Sequence, residues 1–309
     1  MNMQTTYPSL PISLDSSMIN SFRSCKKRFY HNYLLNLHPQ GKSVHLVAGA
    51  AFADAIDAAR KYAYSTQDST YAIMIEHAMR AFILQWKDYT PPEGHAKSFV
   101  NTFKAVELYL QAHPPLTDNI KPLLTSEGNP TTEFSFAIPL PIQHPVTNDP
   151  FIYCGRFDML GKWDDQLLTI LDEKTTSALG TSWLNQWDMR GQFIGYCWAC
   201  QQLGYSVRQV AVRGVGILKT EIKFLTALQQ YPQFLIDRWY EELLETIDEI
   251  KHSYKHNKFG YNFGDACGSY GGCSYKDLCT ANEPERWMSN YEIRIWNPIL
   301  REEKQPETL

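Results

Sequence analysis

Asp158, Asp172 and Lys174 are the grouping in this sequence best suited to chemistry. Asp158 closes the stretch GRFD at 155–158, and Asp172 opens DEKTTS after an apolar run. WDDQ at 163–166 has turn chemistry, so the apolar runs 151–162 and 167–172 predict a hairpin. Asp158 then falls near the open end of that hairpin, and Asp172 returns to the same end. Side chains alternate along a strand, which places Lys174 on the Asp172 face. Two carboxylates and an ammonium in a small volume suit phosphodiester hydrolysis. The carboxylates, with the Glu173 backbone carbonyl as a further oxygen ligand, would hold Mg²⁺ or Mn²⁺, which polarises phosphate and acidifies water. The lysine would orient the attacking water and offset negative charge in the transition state. The plainer alternative is a polar hairpin end with an incidental ion pair.

The cysteines form a second grouping. Cys267, Cys273 and Cys279 lie at two five-residue intervals in CGSYGGCSYKDLC. Glycines let such a loop wrap closely, and thiolates favour iron–sulfur clusters and zinc. A fourth ligand is needed, and Cys25 in FRSCKKRFY is the candidate. Such a site would staple the two ends of the chain, with binding energy becoming folding energy. Cys154, Cys197 and Cys200 sit in apolar stretches and read as small buried hydrophobes. Seven cysteines without a secretory signal argue against a disulfide framework. Lys26, Lys27 and Arg28, with Arg23 nearby and Phe29 and Tyr30 adjacent, could engage DNA phosphates and bases. A solvated helix face is the plain alternative for them.

The elements that must position these residues follow from periodicity. Residues 13–36 predict a helix entered through caps at Ser13 or Asp15–Ser17, and 47–64 predict an alanine-rich helix that lets a neighbour approach closely. Further helices are expected across 70–112, punctuated by PPEG and HPP. Alternation then predicts a strand at 132–139, the hairpin described above, a helix at 183–203 and a strand at 209–218. Residues 220–253 read as a long helical stretch interrupted near Pro232, and 257–279 as largely irregular. The economical reading is one domain over 1–309. It comprises an N-terminal helix with the first cysteine (13–46), a helical part (47–130), a core (131–253), and a cysteine loop with its tail (257–309). The chain has 309 residues and a net charge of −4, which argues against a broadly basic nucleic-acid coat but not against a local basic groove. No apolar run is long enough for a membrane span and no signal peptide is evident, so a cytoplasmic location is expected, the host cytoplasm if the source is viral.

With DEK following a GRFD strand, and Gln192 and Tyr196 spaced as QxxxY on the next helix, the sequence resembles the PD-(D/E)XK nuclease superfamily. The nearer resemblance is to its RecB-like branch, which includes CRISPR-associated iron–sulfur exonucleases and the AddB subunit. It implies an α/β fold: a restriction-endonuclease-like α-β-β-β-α-β core with a helical insertion and an iron–sulfur clasp joining the N- and C-terminal segments. It also implies a metal-dependent DNA nuclease, an exonuclease acting on single strands or DNA ends in recombination, repair or replication. Asp158 and Asp172 become the metal ligands, Lys174 the catalytic lysine, and Gln192 and Tyr196 contacts to DNA. Cys25, Cys267, Cys273 and Cys279 become ligands of a [4Fe–4S] cluster, with zinc as the alternative. The branch carries a GxxxH motif on its first core helix; here Gly49 is followed by Ala53 where the His would fall. Asp54 or Asp57 could stand in, and Glu133 could serve as an accessory carboxylate. The missing His also keeps open a catalytically inactive DNA-binding subunit of a recombination or CRISPR-type complex. DNA is the expected partner, with recombination or repair proteins and self-association also admitted.

Overall fold

The computed structural model describes residues 8–268, 272–300 and 302–304, the last three by backbone alone. The predicted cysteine loop therefore runs in part, at 269–271, outside the described residues. In chain order, β1 (Ser13–Leu14) leads into α1 (Ser16–Ser24), the one-turn α2 (Lys26–Phe29), a π-helical turn at Tyr30–Leu34 and β2 (Leu37–Pro39). There follow α3 (Val44–Thr66), α4 (Tyr71–Trp86), α5 (Phe99–Ala112), β3 (Ile120–Pro122), β4 (Thr132–Gln143), β5 (Pro150–Trp163) and β6 (Leu167–Thr176). Then come α6 (Thr181–Leu184), α7 (Gly191–Gln202), β7 (Gln209–Ile217), β8 (Ile222–Gln230) and α8 (Gln233–Lys255). Beyond these lie α9 (Lys276–Thr280), β9 (Tyr291–Ile293), β10 (Ile295–Asn297) and β11 (Glu302–Lys304). The fold is mixed α/β with a central mixed sheet, in keeping with the expected core order.

The chain divides into two compact units. One comprises Met1–Gly41, Phe136–Gly155 and Arg238–Leu309, the other Lys42–Ser135 and Arg156–Asp237. In the first, β1 runs parallel to the start of β5, with Ser13 opposite Ile152. Asp15 caps α1 by accepting from the Met18 amide at 2.8 Å. Cys25 is extended (φ −161°, ψ 113°) and splits the helix predicted for 13–36. Arg23 of α1 donates to Thr246 Oγ1 at 2.9 Å and to the Glu242 carbonyl at 2.8 Å, tying α1 to α8.

In the second unit, β6 lies between β5 and β7. It is antiparallel to β5 from Met159–Leu171 to Trp163–Leu167, and parallel to β7 from Thr169–Gln209 to Thr176–Gly216. The three-residue connection 164–166 has Asp164 and Asp165 at φ 48° and 59°, the left-handed geometry that Asp tolerates in tight turns. Ala48, Ala51, Ala55 and Ala59 of α3 are fully buried among Phe82, Val106 and Val215, which matches the close approach read from the alanines. Residues 222–230 correct the sequence reading: they form a strand rather than a helix, paired with β7 along its whole length. Every residue of β7 is buried, and a buried strand must have both edges hydrogen-bonded. The helix expected at 183–203 is likewise interrupted between α6 and α7. Among the described residues no helix is long and apolar enough to cross a membrane.

Candidate active site

The β5–β6 hairpin brings Asp158, Asp172 and Lys174 together. Asp158 Oδ2 accepts from the Glu173 amide at 2.5 Å, which fixes it against the partner strand. Lys174 Nζ lies 2.5 Å from Asp172 Oδ1, as alternation along β6 requires. Burial, then the charges of Asp172 and Glu173, hold the Asp158 carboxyl well above the usual carboxylate range. Burial alone would lower the Lys174 ammonium, but Asp172 and Asp158 outweigh it and raise it. The site is thus one acid that resists ionising beside an ion pair.

The Glu173 side chain leaves β6 on the opposite face. Its carboxylate accepts from both Arg60 amino groups, one of them at 2.9 Å, and from the Tyr109 hydroxyl. Arg213, opposite Glu173 on β7, donates to Tyr109 Oη at 3.2 Å and grips Asp118 through two bonds at 2.5 and 2.7 Å. Burial would raise the Glu173 carboxyl, but Arg60 and Tyr109 bring it below its usual value. A buried carboxylate with this many donors is locked in place. The lock sits on the face of β6 opposite Asp172 and Lys174.

The other predicted residues take less direct positions. Gln192 donates to Tyr196 Oη at 2.8 Å, and the buried Tyr196 hydroxyl donates to the Arg156 carbonyl at 2.9 Å, two residues before Asp158. The pair therefore braces β5 rather than presenting the phenol to solvent. Glu133, at φ 51°, is taken up by an ion pair with Arg156 at 2.6 Å. Asp57 pairs with Lys61 at 2.7 Å along α3, while Asp54 is exposed, its carboxyl raised by partial burial against the pull of Arg156.

In the first unit, Lys26 pairs with Glu249 at 2.9 Å, Lys27 lies over the Tyr30 and Tyr261 rings, and Arg28 is exposed. All four predicted cysteine ligands belong to this unit. Burial, followed by the neighbouring Cys273 and Cys25, pushes the Cys279 thiol up to about 11. Their individual contacts differ: Cys279 Sγ lies 3.8 Å from His31 Nε2, and Cys267 Sγ lies 3.9 Å from the Asn262 carbonyl. Among the described residues no three of His, Cys, Asp or Glu are arranged to hold a metal ion. The donor chemistry fits a cluster, and the arrangement does not assemble one.

The sequence profile of the PD-(D/E)XK nuclease superfamily matches residues 14–280. The chain belongs to that superfamily. The match takes in Cys25, the hairpin, the Gln192–Tyr196 helix and the three downstream cysteines. Two of the solved structures similar to this chain are the following. A protein from Eubacterium rectale described as a candidate exonuclease shares 13% identity over 87% of this chain and 93% of its own, with a TM-score of 0.47. The protein SSO0001 shares 12% identity over 74% and 85%, with a TM-score of 0.31. No curated protein matches. Within this PD-(D/E)XK chain, sequence reasoning missed Arg60, Tyr109, Asp118 and Arg213. One signal was available: Glu173 must face away from Asp172, and a buried acid demands a cation from the packed helices.

Proposed function

We propose that this nuclease is a Mg²⁺- or Mn²⁺-dependent deoxyribonuclease, an exonuclease working on single-stranded DNA or DNA ends in recombination, repair or replication. The observation that carries the reading is the meeting of Asp158, Asp172 and Lys174 at one end of the hairpin. The two carboxylates suit a hard divalent cation: both are oxygen donors, and crowding makes Asp158 costly to ionise until positive charge is supplied. The Glu173 carbonyl is available as a third oxygen. When bound, the cation supplies Lewis acidity toward phosphate and lowers the pKa of water. Lys174, held by Asp172, orients the attacking water and balances charge as the phosphate becomes pentacovalent. Gln192, Tyr196 and Arg156 keep β5 in place while DNA is bound, and Lys26, Lys27 and Arg28 offer contacts to the DNA backbone.

Asp172→Ala and Lys174→Ala should each lower Mn²⁺-dependent degradation of end-labelled DNA by about 10³-fold or more, with the circular dichroism spectrum unchanged. Undiminished cleavage would remove these residues from the site. Ala53, where a His was expected, supports the second reading, a DNA-binding subunit without turnover; binding of DNA ends with no cleavage under either metal would favour it. The thiol donors Cys25, Cys267, Cys273 and Cys279, all in the first unit, make a [4Fe–4S] cluster a separate proposal that rests on donor type alone. About four irons per chain after anaerobic purification would bear it out, and zinc or no metal would dismiss it.

A further inference from the structure

The segment that follows α8 carries two aromatic side chains in water. Phe263 is 96% exposed and Tyr261 is 50% exposed, and their rings stack at 5.9 Å with an interplanar angle of 27°. Apolar side chains scattered singly on a surface are ordinary; a stacked pair beside a cation offers a ligand far more.

The backbone beneath the rings is tied down within the first unit. Phe259 is buried and packs against Tyr30 at 5.1 Å and Phe29 at 6.4 Å. The Lys27 amide donates to the Gly260 carbonyl at 3.1 Å. Asn262, between the two rings, donates through Nδ2 to the Ser24 carbonyl at 2.7 Å and accepts from the Gly264 amide at 2.8 Å. Asn262 is thus fastened to the end of α1, while the rings on either side of it stay in solvent.

Lys27 is the cation of the group. Its Nζ lies over the Tyr30 ring at 4.6 Å and the Tyr261 ring at 5.6 Å, and among the described residues no carboxylate pairs with it. Arg28 beside it is exposed. The charge of the two segments that build this surface is one-sided. Residues 16–35 and 250–264 contain no Asp or Glu, and Lys255 and Lys258 add to the basic side. Glu249, just before, is taken up by Lys26, and Asp265 follows as the next carboxylate. On a chain of net charge −4 this is a local basic surface.

Ring faces beside a lysine select their ligand. Bases stack on aromatic side chains, and the cation meets the phosphate that accompanies each base. A duplex keeps its base faces stacked on one another, whereas a single strand offers them. Gly260, Asn262 and Gly264 interrupt the rings, so the patch lacks the continuous apolar core of a protein interface.

We propose that Tyr261 and Phe263 form a base-stacking platform for single-stranded DNA, with Lys27 meeting the phosphate of a stacked nucleotide. The inference rests on the nuclease reading for the identity of its ligand, and deepens it by choosing single strands over duplex.

The test is fluorescence anisotropy with the full chain and no added divalent metal. The probes are labelled oligothymidylate, an abasic strand of equal length, and a duplex. Tyr261→Ala/Phe263→Ala should bind oligothymidylate about tenfold more weakly, or worse, and bind the abasic strand and the duplex as wild type does. Tyr261→Phe should keep the affinity, because the ring rather than the hydroxyl stacks. Lys27→Gln should lower the slope of log affinity against log salt by about 0.7, which the double variant leaves unchanged. Both deleted rings are exposed, and an unchanged circular dichroism spectrum verifies the fold. If the double variant keeps its affinity while wild type degrades DNA under Mn²⁺, the platform is overturned and the nuclease reading stands. An equal loss on the abasic strand overturns it too, since no base would be stacked. So does a double variant that turns a dimer into a monomer in sedimentation without weakening DNA binding, which would make a second copy the occupant. Ring-dependent binding by a wild type that does not cut keeps the platform and removes the nuclease reading. A wild type that neither binds nor cuts removes both.

Discussion

The hairpin of the second unit and the cysteine region of the first hold their groups in contrasting ways. Asp158, Asp172 and Lys174 ride on paired strands whose register fixes each side chain, and Glu173 bolts that register to α3 and α5 through Arg60 and Tyr109. The cysteines ride on a one-residue break at Cys25, a three-residue 3₁₀ turn ending at Cys267, and the five-residue α9 that carries Cys279. Strand geometry converts spacing in sequence directly into spacing in space. Short turns do not. The chemistry of the hairpin is therefore built in by the sheet, whereas any metal held by the thiols would have to organise its own cage.

The contrast can be broken at three points. Glu173→Gln should have the largest effect, because it leaves Arg60 buried beside a neutral group. Breaking a buried ion pair in this way costs about 3–5 kcal/mol, read as a lower urea midpoint. Loss of less than a surface pair would show that the lock is not structural. Gly161→Ala comes next. Its Cβ would run into the Lys121 carbonyl where β3 meets β5, and the backbone there cannot yield as a side chain tip would. A loss of about 1–3 kcal/mol is expected in the same denaturant assay, and a neutral result would mean that β3 shifts freely. Lys26→Ala in the cysteine unit should have the least effect, under about 1 kcal/mol, since both partners of the Lys26–Glu249 pair are substantially exposed. A thermal-shift change as large as that of Glu173→Gln would erase the distinction between the two regions.

Much of the hairpin was legible in the sequence because period-two alternation and WDDQ determine it locally. Asp158, Asp172 and Lys174 could be placed on one end before any tertiary contact was known. The alanine-rich α3 was legible for a similar reason. What stayed hidden depends on partners distant in the chain. Residues 222–230 became a strand because β7 needed an edge partner, a demand their own periodicity does not announce. Lys97 contacts Thr175 through a loop whose path no local signal predicts, and the pairing of Arg60 with Glu173 joins residues far apart in the chain. Tyr196 was found by its spacing with Gln192, but its hydroxyl turned toward the Arg156 carbonyl, which spacing alone could not reveal.

The turn at Asp164 and Asp165 has a consequence for how this molecule comes into being. Because it joins β5 to β6 with so little intervening chain, the two carboxylates belong to a contact of short sequence separation. Closing such a small loop forfeits little chain entropy, and hairpins of this kind form in microseconds. The acidic pair can therefore be drawn together long before α3 or β7 arrives to lock Glu173. During that interval the nascent chain carries two repelling carboxylates, with only Lys174 to offset them. If the proposed metal dependence holds, divalent ions present while the protein folds would act on the hairpin before the sheet is complete.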